Sequence, residues 1–373
     1  MLAKTPPMGW NSWNTFGPDV NEKVIRDTAD TFVEKGLKDA GYEYIVIDDF
    51  WSLRDRDENG RLVPDPKKFP SGMKALADYV HSKGLKIGIY SCAGTRTCGN
   101  FPGSFGHEFV DAETFAKWEM DFLKYDYCYK PKTADGSLLY NRMGMALKAT
   151  GREILFSACS WGADETEKWV RSTGAHMYRS TGDISDSFAS FKDIAASQIK
   201  MLNYSMPGCF NDPDMLICGM HGNGNVGKRG CTDTEYRMHF ALWCMMQAPL
   251  IIGGDICSMD EYNLNLLKNK ELIAINQDSE ARPPMELSDS LYYPTLFKHL
   301  SGGEYAIGLF NFTDILRSRR FDFFDIGLAV ESGYGFILHD IFTGEESGPY
   351  FEYLDLPVNP HDCRVFRAKL IKK

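Results

Sequence analysis

An apolar run that closes on a cation and a carboxylate is the first chemical feature of this chain. In Phe122-Leu-Lys124-Tyr-Asp126 the charged residues are two apart. Residues at that spacing in a strand face the same way, so Phe122, Lys124 and Asp126 point to one side. A cation beside a carboxylate keeps it ionised near neutral pH, which a nucleophile requires. A second carboxylate of opposite role, protonated and donating to a leaving oxygen, would complete the two-carboxylate logic of glycoside hydrolysis. Asp183, in Thr181-Gly-Asp183-Ile-Ser-Asp186, is the candidate. The adjacent Asp48-Asp49 pair, closing Ile45-Val46-Ile47, suits the binding of neighbouring sugar hydroxyls, and Trp13, Trp51 and Tyr90 offer an apolar platform for a pyranose ring. The plain alternatives are a structural ion pair for Lys124 and Asp126, a helix N-cap for any single Asp, and a core position for one of Trp10 and Trp13. Four strand ends carrying such groups together, with Arg179 and Asp183 at the last, favour a site.

Competing motifs are weaker. Gly222-Asn-Gly-Asn-Val-Gly227 matches G-x-G-x-x-G in form, but it is not set between strand and helix and has Cys244 where an acid would follow. The eight histidines show no H-x-H and no H-E-x-x-H, and there is no G-x-S-x-G elbow. Neither a metal nor an organic cofactor is expected.

These residues need elements to hold them. Candidate strands are Met8–Trp13, Tyr42–Asp49, Leu85–Ser91, Phe122–Asp126, Ile154–Ser160, Met177–Ser180, Cys209–Asp212 and Leu250–Ile252. Amphipathic stretches alternate with them, among them Val24–Ala40, Gly72–Lys83, Ala112–Phe122, Tyr140–Ala149 and Thr234–Met246, the last opened by a Thr232-x-x-Glu235 capping box. That alternation predicts a (β/α)8 barrel, with a doubly wound open sheet as the rival, and in a barrel function collects at the C-terminal strand ends. After Ala281 the texture changes to short β-rich runs, Leu291–Leu300, Glu304–Phe312, Gly335–Asp340 and Asp362–Leu370. The expected division is a barrel over residues 1–280 and an antiparallel β domain over 281–373.

The 373 residues carry 41 Lys+Arg against 51 Asp+Glu, a formal charge of −10. Such a balance argues against nucleic acid or an anionic membrane as partner and fits a small polar substrate. The longest apolar stretch, Ala241 to Gly254, is broken by Gln247 and Pro249 and is shorter than the roughly 18 residues of a membrane span. The first residues lack the apolar core of a signal peptide, so the expected location is cytoplasmic unless a mature secreted form is given. The ten cysteines follow no zinc-finger spacing. A homo-oligomer is left open.

The order of these segments resembles the α-galactosidase and α-N-acetylgalactosaminidase family, glycoside hydrolase family 27. The resemblance runs from Pro6-Pro-Met-Gly-Trp-Asn-Ser-Trp13 through Gly41 to Asp49, Lys86 to Ser91, Lys124-Tyr-Asp-Tyr-Cys128, Arg179 to Ile184 and Asn211-Asp-Pro-Asp-Met-Leu216. It implies a (β/α)8 barrel followed by a small β-sandwich domain. It also implies hydrolysis of terminal α-linked galactose with retention, through a covalent glycosyl-enzyme, with carboxyls about 5–5.5 Å apart. Asp126 falls on the nucleophile and Asp183 on the acid/base. Trp13, Asp48, Asp49, Tyr90, Lys124 and Arg179 fall on sugar-contacting positions: Asp48 and Asp49 at the 4- and 6-hydroxyls, Lys124 at the 3- and 4-hydroxyls, Arg179 near the 2-substituent.

Two departures carry information. Many secreted members have Cys directly after the Asp pair, bonded to the first loop; here Phe50 stands there, in keeping with a reducing compartment. The family's other bridge maps to Cys98 and Cys128. The second departure is Cys159-Ser160-Trp161-Gly162-Ala163, which in the family surrounds the sugar's 2-position. Animal α-galactosidases carry Glu and Leu where Ser160 and Ala163 stand, and their α-N-acetylgalactosaminidase relatives carry Ser and Ala, so an acetamido group is the alternative to a 2-hydroxyl. A β-L-arabinopyranosidase and a non-catalytic galactose-binding barrel are the other readings. The intact Asp48-Asp49 pair disfavours the first and the two filled catalytic positions the second.

Overall fold

A computed structural model describes residues 2–288 and 290–373. Eight parallel strands form one sheet: β1 Met8–Asn11, β2 Tyr44–Val46, β3 Lys86–Cys92, β4 Phe122–Asp126, β5 Leu155–Cys159, β6 Met177–Arg179, β7 Phe210–Asp212 and β8 Leu250–Ile252. From β1 to β7 each pairs with the next, and β8 returns to pair with β1 through Met8 and Leu250. Closure on the other side falls to Leu216, just past β7, which lies opposite Ile252: its amide donates to the Ile251 carbonyl at 2.7 Å and its carbonyl accepts from the Gly253 amide at 2.8 Å. The sheet is therefore the barrel that the alternation predicted. The strands are shorter than the apolar runs because the residues closing each run peel away into the loops.

Inside the barrel, Tyr44, Val46, Phe122, Leu155, Met177 and Ile251 form a packed layer at the N-terminal end. The same strand faces carry Asn11, Lys124, Ser157, Cys159, Arg179 and Asp212 toward the C-terminal end. The period of two is thus apolar below and polar above, which places all the chemistry at one mouth.

The helices match their patterns with shifted ends. Asn21 caps Glu22–Glu34 by accepting from the Val24 amide at 3.1 Å, and Thr232 and Glu235 complete the capping box that opens Asp233–Met245. The stretch expected over Ala112–Phe122 forms Glu108–Lys117 instead, because Phe122 belongs to β4 and Glu119, at φ +60°, makes the turn between them.

Met285–Glu286, Thr295–His299, Tyr305–Asn311, Asp362–Lys372, Tyr334–Asp340 and Glu346–Phe351 form, in that spatial order, a second sheet, antiparallel throughout. Arg317–Asp322 pairs with Tyr353–Val358 as a separate ribbon. Phe297, Phe336 and Phe366 from the sheet meet Phe321 and Leu354 from the ribbon in a core of their own. The unit packs on the barrel helix Asp233–Met245, where Arg237 pairs with Asp362 at 2.6 Å.

Candidate active site

The loops after the strands close over one cavity whose lining includes Trp13, Asp48, Asp49, Tyr90, Cys98, Lys124, Asp126, Trp161, Arg179, Asp183, Asp214 and Met215. Nearly every residue singled out from strand ends is brought together here. Asp48 is buried just past β2, where its Oδ2 accepts from Lys124 Nζ at 2.8 Å and from Asn11 Nδ2 at 2.8 Å. Lys124 also lies 5.5 Å from the centre of the Tyr90 ring. Burial opposes the ammonium charge, but the Asp48 and Asp126 carboxylates beside it outweigh this and hold its pKa above the ordinary lysine value.

Asp49 is fixed by backbone donors: the Phe50 amide to Oδ1 at 2.8 Å and the Gly99 amide to Oδ2 at 2.7 Å. Gly99 follows Cys98, which the structure joins to Cys128 in a disulfide with Cα atoms 5.2 Å apart. That bond ties the loop after β3 to the loop after β4, so one covalent link reaches both an acceptor pair and the strand that ends in Asp126.

Asp126 is buried at the end of β4, accepting from the Tyr90 hydroxyl at 3.0 Å and from the Tyr127 amide at 2.9 Å. Burial pushes its carboxyl up and Lys124 pulls it down, leaving a pKa of about 6, so it is ionised at neutral pH. Asp183 is different. Its side chain is 72% exposed and is held by Arg179 Nη2. The surrounding protein pushes its carboxyl up, but the Arg179 charge and hydrogen bond more than reverse this, so it lies below the ordinary carboxylate value. A proton resident on this carboxyl, the sequence-based expectation, is therefore not its condition while Arg179 is in place.

Arg179 itself is buried on β6. Its Nη1 also faces Asp214 Oδ2 at 3.2 Å, and its Nε donates to the Thr181 carbonyl at 3.1 Å. Asp214 was not among the candidate residues, although it stands in the Asn211-Asp-Pro-Asp-Met motif. Nor was Asn11, which orients Asp48, or Trp161, which lines the cavity edge-on to Tyr127 at 6.4 Å between ring centres. The signal for Asn11 was the same as for the others, a polar residue closing an apolar run, whereas Asp214 lies beyond the Asn211-Asp212 pair that closes its run and carried no such signal.

Trp51, Ser160 and Ala163 are placed differently from expectation, while the Trp10 and Trp13 pair divides as expected. Trp51 is core: it donates to the Tyr90 carbonyl at 2.9 Å and packs edge-on against Trp118, so it holds β3 rather than a sugar. Trp10 is the core member of its pair, donating to Gly254 O at 2.9 Å, and Trp13 is the one at the cavity, stacked on Phe50. Ser160 and Ala163 are not on the cavity wall. Trp161 and Gly162 turn through left-handed conformations at φ +60° and +82°, and the buried Ser160 hydroxyl bonds to Thr166 Oγ1 while Trp161 faces the site. The glycine-rich stretch after Gly219 serves this site too. Gly224 at φ +82° lets it pass against Asn14 and Thr15, whose carbonyls accept from Val226 and Asn225 at 3.0 and 3.1 Å.

Residues 5–278 match the family described as alpha galactosidase A, and residues 292–368 match the alpha galactosidase C-terminal beta sandwich domain. The chain belongs to the α-galactosidase family. It is 42% identical over 366 residues to an α-galactosidase of Cyamopsis tetragonoloba, covering 98% of this chain and 86% of that one. It is 45% identical to α-galactosidase A of Cellvibrio japonicus over 98% and 92% of the two chains. Among solved structures, α-galactosidase I of Mortierella vinacea superposes with a TM-score of 0.91 at 34% identity, covering 98% and 97%. An α-galactosidase of Saccharomyces cerevisiae solved with raffinose gives 0.89 at 28%, covering 99% and 98%. The family membership makes this chain a glycoside hydrolase.

Proposed function

We propose that the protein is a retaining exo-α-galactosidase that removes terminal α-linked galactose from oligosaccharides, with the chemistry carried by the barrel. The observation that carries the reading is a buried Asp126 sharing one cavity with the exposed Asp183, beside two cations, Lys124 and Arg179. In the first step an Asp126 oxygen attacks the anomeric carbon as the bond to the glycosidic oxygen breaks, and Asp183 gives that oxygen its proton. In the second, Asp183 takes a proton from water, the water oxygen bonds to the anomeric carbon, and Asp126 is released. Asp48, Asp49 and Lys124 supply a dense set of acceptors and one donor for neighbouring ring hydroxyls, and Trp13 supplies an apolar face. A sugar with the wrong 4-hydroxyl leaves buried acceptors unpaired.

The relatives named as α-galactosidases support galactose. The Cys98–Cys128 bond favours an oxidising compartment over the cytoplasm. Among the described residues no helix is long and apolar enough to cross a membrane.

The test is Asp126→Asn assayed on 4-nitrophenyl α-galactoside, α-N-acetylgalactosaminide and β-L-arabinopyranoside beside the parent enzyme. The parent should turn over the galactoside fastest and release α-galactose first by proton NMR, and the folded variant should be inactive. Near-parental activity of Asp126→Asn, or first release of β-galactose, would end the assignment.

A further inference from the structure

Arg179 serves two carboxylates that differ in every respect that matters for a proton. Asp214 is buried, and its Oδ2 faces Arg179 Nη1 at 3.2 Å while accepting from the Ile184 amide at 2.8 Å. Its Oδ1 accepts from the Met215 amide at 2.7 Å. The backbone at Asp214 sits at φ +95°, a conformation that non-glycine residues avoid and that persists only when the surroundings impose it. Here Trp243 Nε1 donates to its carbonyl at 2.8 Å, and its own amide donates to Asp212 Oδ1 at 2.9 Å. Asp183, one residue before Ile184, is exposed and held only through Arg179 among the contacts described.

We propose that Asp214 is a positioning residue for the acid step: it is the fixed counter-ion of Arg179, and so allows Asp183 to leave that cation and take up a proton. The inference rests on the reading of Asp183 as the acid/base. Were Asp183 the sole partner, its departure would strand a buried guanidinium, and its protonation would be opposed by the whole of that penalty. With Asp214 in place the guanidinium keeps a charge partner. The same carboxylate oxygen pins the Ile184 amide, so the backbone stays put while the Asp183 side chain moves. Burial pushes the Asp214 carboxyl up and Arg179 pulls it down, as expected of a resident pair. The other titratable groups facing Arg179, Asp183 and Asp214 are Lys124 and Asp126 on β4, Cys159 at the end of β5 and Asp212 on β7. None changes in the test below.

Asp214→Asn keeps an oxygen for the Ile184 amide and removes the charge. Asp183 then becomes the only carboxylate in contact with Arg179, and its proton is harder to gain. On methyl α-galactoside, whose leaving group needs protonation, kcat/KM should fall tenfold or more. The alkaline limb of the kcat profile, which reports the enzyme–substrate complex in which Asp183 has left Arg179 and holds the proton, should move down by about one unit, the low end of the shift a nearby charge produces. On 2,4-dinitrophenyl α-galactoside, which needs no acid, kcat/KM should stay within about threefold. Equal losses on both substrates with an unmoved alkaline limb would make Asp214 merely structural and overturn the proposal. If Asp214→Asn does not fold, Asp214→Glu decides: an alkaline limb at the parental pH supports the role of the charge, and a lowered limb overturns it, since the charge is still present. Asp183→Ala on the same two substrates separates the two readings. Selective loss on the methyl glycoside upholds Asp183 as the acid and leaves Asp214 to be judged by its own variants. Equal loss removes the acid reading and the proposal with it.

Discussion

Replacing Lys124 by Met keeps the length of the side chain and deletes the charge that opposes the burial of Asp126. The two residues are i and i+2 on β4, about 6.6 Å apart along a strand. Taking that backbone spacing for the separation of the two charges, at an effective dielectric constant of about 20 one unit charge is worth about 2.5 kcal/mol, or about 1.8 pH units. Burial and Lys124 together leave Asp126 at a pKa of about 6. Without the lysine it should titrate near 8 on the same estimate. The sign follows from the mechanism: the nucleophile must be ionised, so activity rises as pH rises through the pKa, and the acid limb moves up with it. At pH 7 the ionised fraction drops from about nine-tenths to about one-tenth, a tenfold loss before any effect on binding. The assay is kcat/KM for 4-nitrophenyl α-galactoside from pH 4.5 to 9, which reports the free enzyme. Lys124→Arg is the charge-keeping control and should leave the acid limb within about half a unit of the parent. KM should also rise in Lys124→Met, because Asp48 loses its 2.8 Å partner. A uniform fall in rate with the acid limb still near 6 would refute the reasoning, because the charge of Lys124 would then not be what keeps Asp126 ionised.

Three further outcomes are expected. Replacing Cys98 and Cys128 together by Ser opens a link across 30 residues, worth about 3.6 kcal/mol on loop entropy, and frees Gly99 from Asp49, so thermal stability should fall and KM rise more than kcat falls; unchanged KM in the folded variant would disconnect the bridge from Asp49. Gly94→Ala places a methyl on the carbonyl oxygen of Cys128, a backbone atom that cannot move aside cheaply, and should cost about 1–3 kcal/mol in denaturant unfolding; a neutral result would mean that these two loops are loosely packed. Dialysis against EDTA should leave turnover unchanged, since two carboxylates complete the reaction and the cations at the site are Lys124 and Arg179; loss restored by one divalent ion would contradict this.

Much of the barrel was legible because side-chain direction follows from backbone period. Once Ile45-Val46-Ile47, Phe122 to Asp126 and Met177 to Arg179 are read as strands, each polar terminus has a fixed face, and eight such termini in a closed sheet meet at one mouth. The same local logic gave the Thr232 capping box. It blurred at helix and strand ends, where a residue such as Phe122 satisfies both patterns until packing decides. The ribbon Arg317–Asp322 with Tyr353–Val358 escaped a reading by alternation. Its members are short and polar on one face, and only pairing across more than thirty residues makes them strands.

The amino-acid sequence by itself determined which residues stand at the ends of the strands and therefore which groups are available for chemistry: Asp48, Asp49, Tyr90, Lys124, Asp126 and Arg179. Only the tertiary structure decided what those groups do to one another. Whether Trp13 or Trp51 faces the cavity depends on how each loop leaves its strand. Whether Ser160 meets a sugar or Thr166 depends on two consecutive left-handed residues. The support of Asp49 by Gly99 and the sharing of Arg179 between Asp183 and Asp214 join segments up to fifty residues apart. The physical reason is that side-chain direction is a property of a few neighbouring dihedral angles, whereas ionisation and hydrogen bonding depend on ångström-scale distances between loops, and those distances exist only once the barrel has closed.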